Sequence, residues 1–435
     1  MILAQNRQQL LSGNKLIVFL VIPILLVSCG AFKKIIKIDW PEDEEIVVVN
    51  PDKGKVTVLD TPKEDKEKKE EKAYSFVNFK GERFRVPVHK QSFNIVVLLP
   101  FHSASPKSTK EERRSNLMLE YYQGMKLAIR EIEELNSKFV IHYFDTNNDT
   151  LQLQNLLKKP VVENADLIIG PTDEAQLRIA AFFARKRKIP LFSPITNDLK
   201  LWSENPYIFS LNPSSEMMAK AFVEYFNNYH NKEQLIVVRD GKRFDRTFGT
   251  ALVAELAKSK INHSVISHDR GLKWEDHFNA EKVLVLSTVQ DKNELIYTIN
   301  GLLNESKRAS LIGSDKWLEF SSVDYNHWER LNFRFISTNL AQVPNEKAID
   351  LKRSYRYEYN NDPSWFTFKG YDHLLFACET LDAFGKYFPL FLEDKTISYS
   401  NSNFCITKEG NSFDNKYIQI LEFKERKIVP VYQIN

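Results

Sequence analysis

From Phe93 onward the chain alternates between short unbroken apolar runs and longer stretches whose apolar residues recur every three or four positions. FNIVVLLPF, starting at Phe93, is apolar at almost every position, as expected of a strand covered on both faces in a parallel sheet. A helix is predicted next: Leu117, Tyr121, Gly124, Met125, Ala128, Ile132 and Leu135 share one stripe, with Glu120, Arg130 and Glu131 outside it. Further strands are predicted over residues 139–146, 165–171, 189–195 and 207–213, with a helix over 175–186. The alternation then restarts. Strands over 234–240, 263–267, 282–288 and 309–313 are interleaved with helices over 249–259 and 292–303, followed by a strand over 333–337, helices near 348–360 and 371–386, and a hairpin in the tail. This is a doubly wound α/β pattern, and its restart predicts two lobes rather than one large sheet. No short-period repeat is visible.

The segment before Phe93 has a different texture. Leu16 to Val27 is an apolar run interrupted only by Pro23, and Arg7 and Lys15 are the only charges before it. Those twelve residues are shorter than the about 20 that a membrane-spanning helix needs, and fit a secretory signal instead. The run ends in Leu26-Val27-Ser28-Cys29-Gly30, which resembles the bacterial lipobox and implies a lipid on Cys29 after removal of residues 1–28. Gly30, rather than Asp, then points to the outer membrane, facing the periplasm. A tether is expected over 29–44 and a hairpin over 45–61, where EIVVVNPDKGKVTVL turns at Lys53-Gly54. Residues 62–73 carry five acidic and five basic side chains in twelve positions, a solvated spacer. A second hairpin is expected over 74–92, turning at Lys80-Gly81.

Composition narrows the function classes. The 60 Lys and Arg are matched by 57 Asp and Glu, so phosphate neutralisation has no one-signed face and nucleic acid is excluded as a partner. Without residues 1–28 the balance is 58 to 57, so a membrane contact would rest on the lipid and not on charge. Three Cys, none in a Cys-x-x-Cys pair, make neither a disulfide scaffold nor a zinc site; a bridge between Cys378 and Cys405 is left open. Asp145, Asn147 and Asp149 alternate as in a calcium loop, but Thr150 stands where Gly is required and Leu156 where Glu is required, so a turn is expected. His263, His268 and His277 lack the helical spacing of a zinc protease, and there is no nucleophile elbow and no phosphate loop. No metal, cofactor or catalytic residue is expected, and the protein is read as a non-enzyme. Tyr121, Tyr122, Tyr371, Trp317, Trp328 and Trp365 are read as packing residues.

Taken together, IVVLLPF, EYYQGMKLAIREI, YFDTNND, ADLIIGP, IPLFSPIT, FGTALVAEL and FKGYDHLLFACETL resemble the type I periplasmic-binding-protein family, which includes the branched-chain amino-acid binding proteins. The chain looks closest to lipoproteins of Bacteroidota that pair this module with a LysM repeat, although the LysM pattern is absent here. The resemblance implies an α/β, two-lobed fold over 93–435 behind a short N-terminal β-rich extension. The first lobe would take about 93–212 and 340–388, and the second about 213–339 and 389–435. It also implies a cleft whose first-lobe loops hold a ligand carboxylate. Carried over by position, those loops supply Phe101 and His102, then Gly170, Pro171 and Thr172, then Ser193, Pro194, Ile195 and Thr196.

One departure matters for function. Where the family offers small hydroxyl residues, this chain has Asp173 and Glu174, two carboxylates at a predicted helix start that would repel a ligand carboxylate. The leading expectation is therefore a lipid-anchored scaffold that docks another envelope protein, similar to lipoprotein activators of peptidoglycan synthases. The alternative is a receptor that binds an amino acid or another small polar ligand for an ABC-type importer. A scaffold should have a filled cleft, and a receptor an open one lined by convergent polar groups.

Overall fold

The computed structural model describes residues 36–38, 74–103, 108–195, 204–305, 309–338, 345–393 and 395–434. The signal, Cys29, the 45–61 hairpin, the charged spacer and Thr196 lie outside the described residues. Two large sheets organise the chain. The first has nine strands in the spatial order Ile36–Ile38, Lys138–Asp145, Ser92–Leu99, Leu167–Ile169, Leu191–Ser193, Ile208–Ser210, Ser412–Asn415, Asn403–Glu409 and Thr396–Ser398. The second has seven: His263–Ser267, Gln234–Arg239, Val283–Ser287, Ala309–Ser314, Arg334–Ser337, Ile418–Lys424 and Lys427–Ile434. The chain passes between them after Ser210, after Ser337 and after Asn415, which makes the α/β, two-lobed architecture.

The apolar runs become strands because each residue, whichever way it points, meets a helix layer. Ile95, Val97 and Leu99 face one buried cluster while Val96 and Leu98 face another on the opposite side of the sheet. The second sheet repeats this, with Val283 and Val285 on one side and Leu284 and Leu286 on the other. A strand with period-two polarity could not satisfy two apolar layers.

The division of the tail differs from expectation. Thr396–Ser398, Asn403–Glu409 and Ser412–Asn415 join the first sheet, with Phe413 and Asp414 beside Phe209 and Ser210 in parallel register. Only Ile418–Lys424 and Lys427–Ile434 reach the second. The reason is polar anchoring. Asp372 is fully buried, and its carboxylate accepts from the N–H groups of Ser400, Asn401 and Ser402 at 3.0, 2.9 and 2.8 Å and from Ser400 Oγ at 2.6 Å. That ties the Tyr399 to Ser402 turn to the first lobe. The Tyr74–Phe79 and Glu82–Pro87 strands pair as an antiparallel hairpin, and Phe79 and Val86 pack into the same lobe.

The helix Trp365–Phe384 is buried on nearly every side, and it crosses the helix Thr109–Ile132 at a contact with no side chain to spare. A Cβ on Gly370 would lie 1.8 Å from the Tyr121 carbonyl oxygen, and one on Gly124 would lie 1.9 Å from the Thr367 carbonyl oxygen. Around this crossing Tyr121 Oη meets His373 Nδ1 at 2.9 Å, and Tyr355 Oη donates to Gln123 at 2.7 Å. Among the described residues no helix is long and apolar enough to cross a membrane. Cys378 and Cys405 are both buried in the first lobe, and no disulfide joins them.

Helix propensity alone says that alanine at position 370 should stabilise by up to about 1 kcal/mol. The crossing says the opposite, since forcing the backbones apart costs typically about 1–3 kcal/mol. Gly370→Ala should therefore lower unfolding free energy by about 2 kcal/mol in urea titration. A neutral or stabilised variant would show that the helices are free to part.

Candidate functional site

Between the lobes lies a cavity of 190 Å³, lined by Ile195, Asn212, Trp365 and Lys369 from the first lobe and by residues that follow the strand ends of the second. Its volume exceeds the roughly 150 Å³ that admits benzene in an engineered apolar cavity. The second-lobe wall is built in three steps. Asp245 is 1% exposed and gathers Arg239 Nε at 2.7 Å, Thr288 Oγ1 at 2.8 Å and the Gly241 N–H at 3.1 Å, so it joins the ends of two neighbouring strands. The segment Asp245–Gly249 takes a π-helical turn, and it presents Phe244 and Phe248, stacked at 5.2 Å, to the cavity. Leu286, Met218 and Ile336 extend this apolar wall, and Ser287, Gln290, Ser314, Asp315 and Thr338 add polar groups at the strand ends. Ligands of open α/β sheets collect at this carboxyl edge.

The first-lobe wall comes from one helix face. Ser364 caps the Trp365–Phe384 helix through the N–H groups of Phe366 and Thr367. Trp365 and Lys369, four residues apart, then share one face. The Lys369 ammonium sits 4.0 Å over the Trp365 ring and donates to Asn212 Oδ1. Only 2% of Lys369 is exposed. Burial pulls its pKa down to about 7, against the opposing pull of Asp315 and Asp372. Across the cavity, burial pushes the half-buried Asp315 carboxyl up, while hydrogen bonding to Ser314 and the Lys316 N–H and the Lys316 charge oppose that rise. Burial likewise raises Asp372 to about 6, opposed by its hydrogen bonds from Ser400, Asn401 and Ser402, and holds His373 well below its usual range, with help from Lys369.

A sequence profile described as periplasmic binding protein matches residues 114–270. Solved structures share the architecture. One is an ABC transporter substrate-binding protein from Desulfitobacterium hafniense in complex with Leu, 15% identical, TM-score 0.52, covering 78% of this chain and 100% of that one. A second is a branched-chain amino acid ABC transporter periplasmic ligand-binding protein from Burkholderia xenovorans, 12% identical, TM-score 0.57, covering 79% and 95%. A third is a solute-binding protein of an ABC transporter from Rhodopseudomonas palustris in complex with 3,4-dihydroxybenzoic acid, 14% identical, TM-score 0.51, covering 80% and 98%. A comparison with curated proteins gives no match. The fold is that of a periplasmic binding protein.

Within this periplasmic-binding-protein fold, Ile195 is the one position carried over by resemblance that lines the cavity among the described residues. The other described positions lie at the carboxyl edge of the first sheet, where the backbone N–H groups of Phe101, His102 and Gly170 are engaged internally. The N–H groups of Phe101, His102, Ser103 and Asn147 all point at the Asp145 carboxylate, at 2.9, 3.2, 2.7 and 2.8 Å. Gly170 N–H donates to the Phe192 carbonyl, and a Cβ there would lie 2.2 Å from the Leu98 carbonyl oxygen, so Gly170 serves strand packing. Pro171, Ser193 and Pro194 are buried, and Thr172 is half-buried. Asn212 Nδ2 covers the Pro194 carbonyl at 2.5 Å. Asp173 caps the helix Glu174–Arg187 through the Ala175 N–H, and Glu174 pairs with Arg178 at 3.0 Å, so that helix start holds the chain's own carboxylates. Trp317 and Trp328 are core residues, whereas Trp365 is 42% exposed and forms part of the cavity wall.

Lys369 makes the site's pH dependence calculable in sign. An unfolded lysine titrates near about 10.4, so between pH 7 and 10 the unfolded chain holds a proton the folded chain has released, and stability rises with pH across that window. Lys369→Met should be the more stable protein near pH 6, with the gap closing by pH 10, in urea titrations of both proteins at each pH. A gap that does not change with pH would mean that Lys369 is solvated in the folded state.

Proposed function

We propose that this chain is a solute-binding protein that takes a small organic acid with an apolar body, an amino acid being the nearest case, between its two lobes. The observation that carries this reading is the cavity itself: Phe244, Phe248, Met218 and Ile336 supply apolar walls, and Lys369, Asp315, Asn212 and Gln290 converge as polar groups. A few placed polar groups in a mostly apolar concavity are the usual make-up of a small-molecule site. The ligands named for two proteins of this fold, Leu and 3,4-dihydroxybenzoic acid, are both small carboxylic acids and support the same chemistry. A cavity lined from both lobes by convergent polar groups favours this reading over a scaffold that docks another envelope protein. A lipid on Cys29 would keep the receptor at the outer membrane, facing the periplasm.

The test is a thermal-shift screen of the full-length protein against amino acids, benzoates, sugars and muropeptides. A true ligand at a hundred times its Kd should add about 2.7 kcal/mol of stability. The same ligand should shrink the radius of gyration in small-angle scattering as the lobes close. A flat screen together with a stoichiometric envelope partner on co-purification would return the docking reading to first place.

A further inference from the structure

Lys369 is short of partners. An ammonium has three N–H donors, yet among the described residues Lys369 makes one hydrogen bond, to Asn212, and one contact with the Trp365 ring face. The neighbouring Asp372 cannot serve it, because both of its oxygens are taken by Ser400, Asn401 and Ser402. On the opposite wall Asp315 receives one side-chain hydrogen bond, from Ser314 Oγ at 3.3 Å, and one from the Lys316 N–H. Its cationic neighbour, Lys316, is exposed. A buried cation and a half-buried anion therefore line one cavity from different lobes, each with unused capacity.

In the layout that the family resemblance implies, the ligand carboxylate is held by loop N–H groups at the edge of the first sheet. Those groups are consumed here: Asp145 occupies the loop after Leu99 and Asp173 the start of the helix Glu174–Arg187. We infer that Lys369 holds the ligand carboxylate and Asp315 holds its cationic end, so that the cleft reads a zwitterion by the separation of its two charges. This assignment rests on the solute-binding reading and names the side chains that would select for it. Burying an isolated charge is costly, and pairing it with hydrogen-bonded opposite charge is what recovers the cost. Phe244 and Phe248 would then cover the apolar side chain of the ligand.

Three probes of one shape separate the two ends: leucine carries both charges, 4-methylpentanoate only the carboxylate, and leucinamide only the ammonium. Calorimetric titration of the full-length protein should rank leucine tightest. Lys369→Met should weaken leucine and 4-methylpentanoate at least tenfold and leave leucinamide unchanged. Asp315→Asn should weaken leucine and leucinamide and leave 4-methylpentanoate unchanged. Lys369→Met removes a buried charge, so its ligand-free melting temperature should match or exceed that of the wild type and show that lost binding is not lost folding. If the wild type binds leucine and Lys369→Met binds it within twofold, the assignment of Lys369 is wrong and the solute-binding reading stands. A response confined to uncharged solutes would overturn both the assignment and the organic-acid reading, leaving a receptor for a neutral solute. A wild type that answers no probe in either screen overturns both.

Discussion

Everything at the cleft depends on two helices touching backbone to backbone. Gly124 and Gly370 let Thr109–Ile132 and Trp365–Phe384 approach until carbonyl oxygens fill the places where Cβ atoms would sit. The second helix is thereby drawn into the body of the first lobe and buried on nearly every side. Lys369, Asp372 and His373 ride in with it. Asp372 finds a complete set of donors in the Ser400 to Ser402 turn, and His373 is held neutral by burial while it meets Tyr121. Lys369, one residue before the glycine, reaches the lobe boundary instead, where its partners run out. The tightness of the crossing thus fixes where the one under-partnered cation of this helix emerges.

Buried carboxylates do a second structural job, holding loop N–H groups that sheet geometry leaves unpaired. Asp145 gathers the turn after Leu99, Asp245 ties Arg239 to Thr288, and Asp372 closes the Ser400 turn. Asp414, which receives the Ser214 N–H at 3.4 Å, marks the place where the chain leaves the first sheet for the second. Burial raises its pKa to about 8. An N–H at a strand end or helix start can serve the fold or a ligand, but not both at full strength. This chain has spent several of them on its own side chains, which leaves side-chain charge as the remaining means of recognising an ionic ligand.

Much of the fold was legible because burial on both faces writes itself as unbroken apolar runs, and Ser92–Leu99, Gln234–Arg239 and Val283–Ser287 were visible on that ground. The three strands between Thr396 and Asn415 were not. Their sequence is rich in Ser and Asn, and what orders it is a carboxylate about thirty residues away on another element, which no local pattern encodes. At the site, Ile195 lines the cavity, and the other described positions taken from the family lie along the edge of the first sheet. Lys369 had a signal that went unused: it is the one lysine in FTFKGYDHLLFACETL, where apolar residues fall on every side of the helix. Asp315 gave none, since a polar residue after a strand is commonplace, and only the meeting of the lobes gives it a role.

The division of charge between lobes has a mechanical consequence. Lys369 belongs to the first lobe and Asp315 to the second, and both line the cavity that closure must compress. A ligand shifts an open and closed equilibrium only by the difference in its affinity for the two states. A solute touching one lobe has little such difference. A zwitterion bridging Lys369 and Asp315 has a large one, because each of its ends is satisfied by a different lobe and both ends only when the lobes are together. Binding and closure are then a single event.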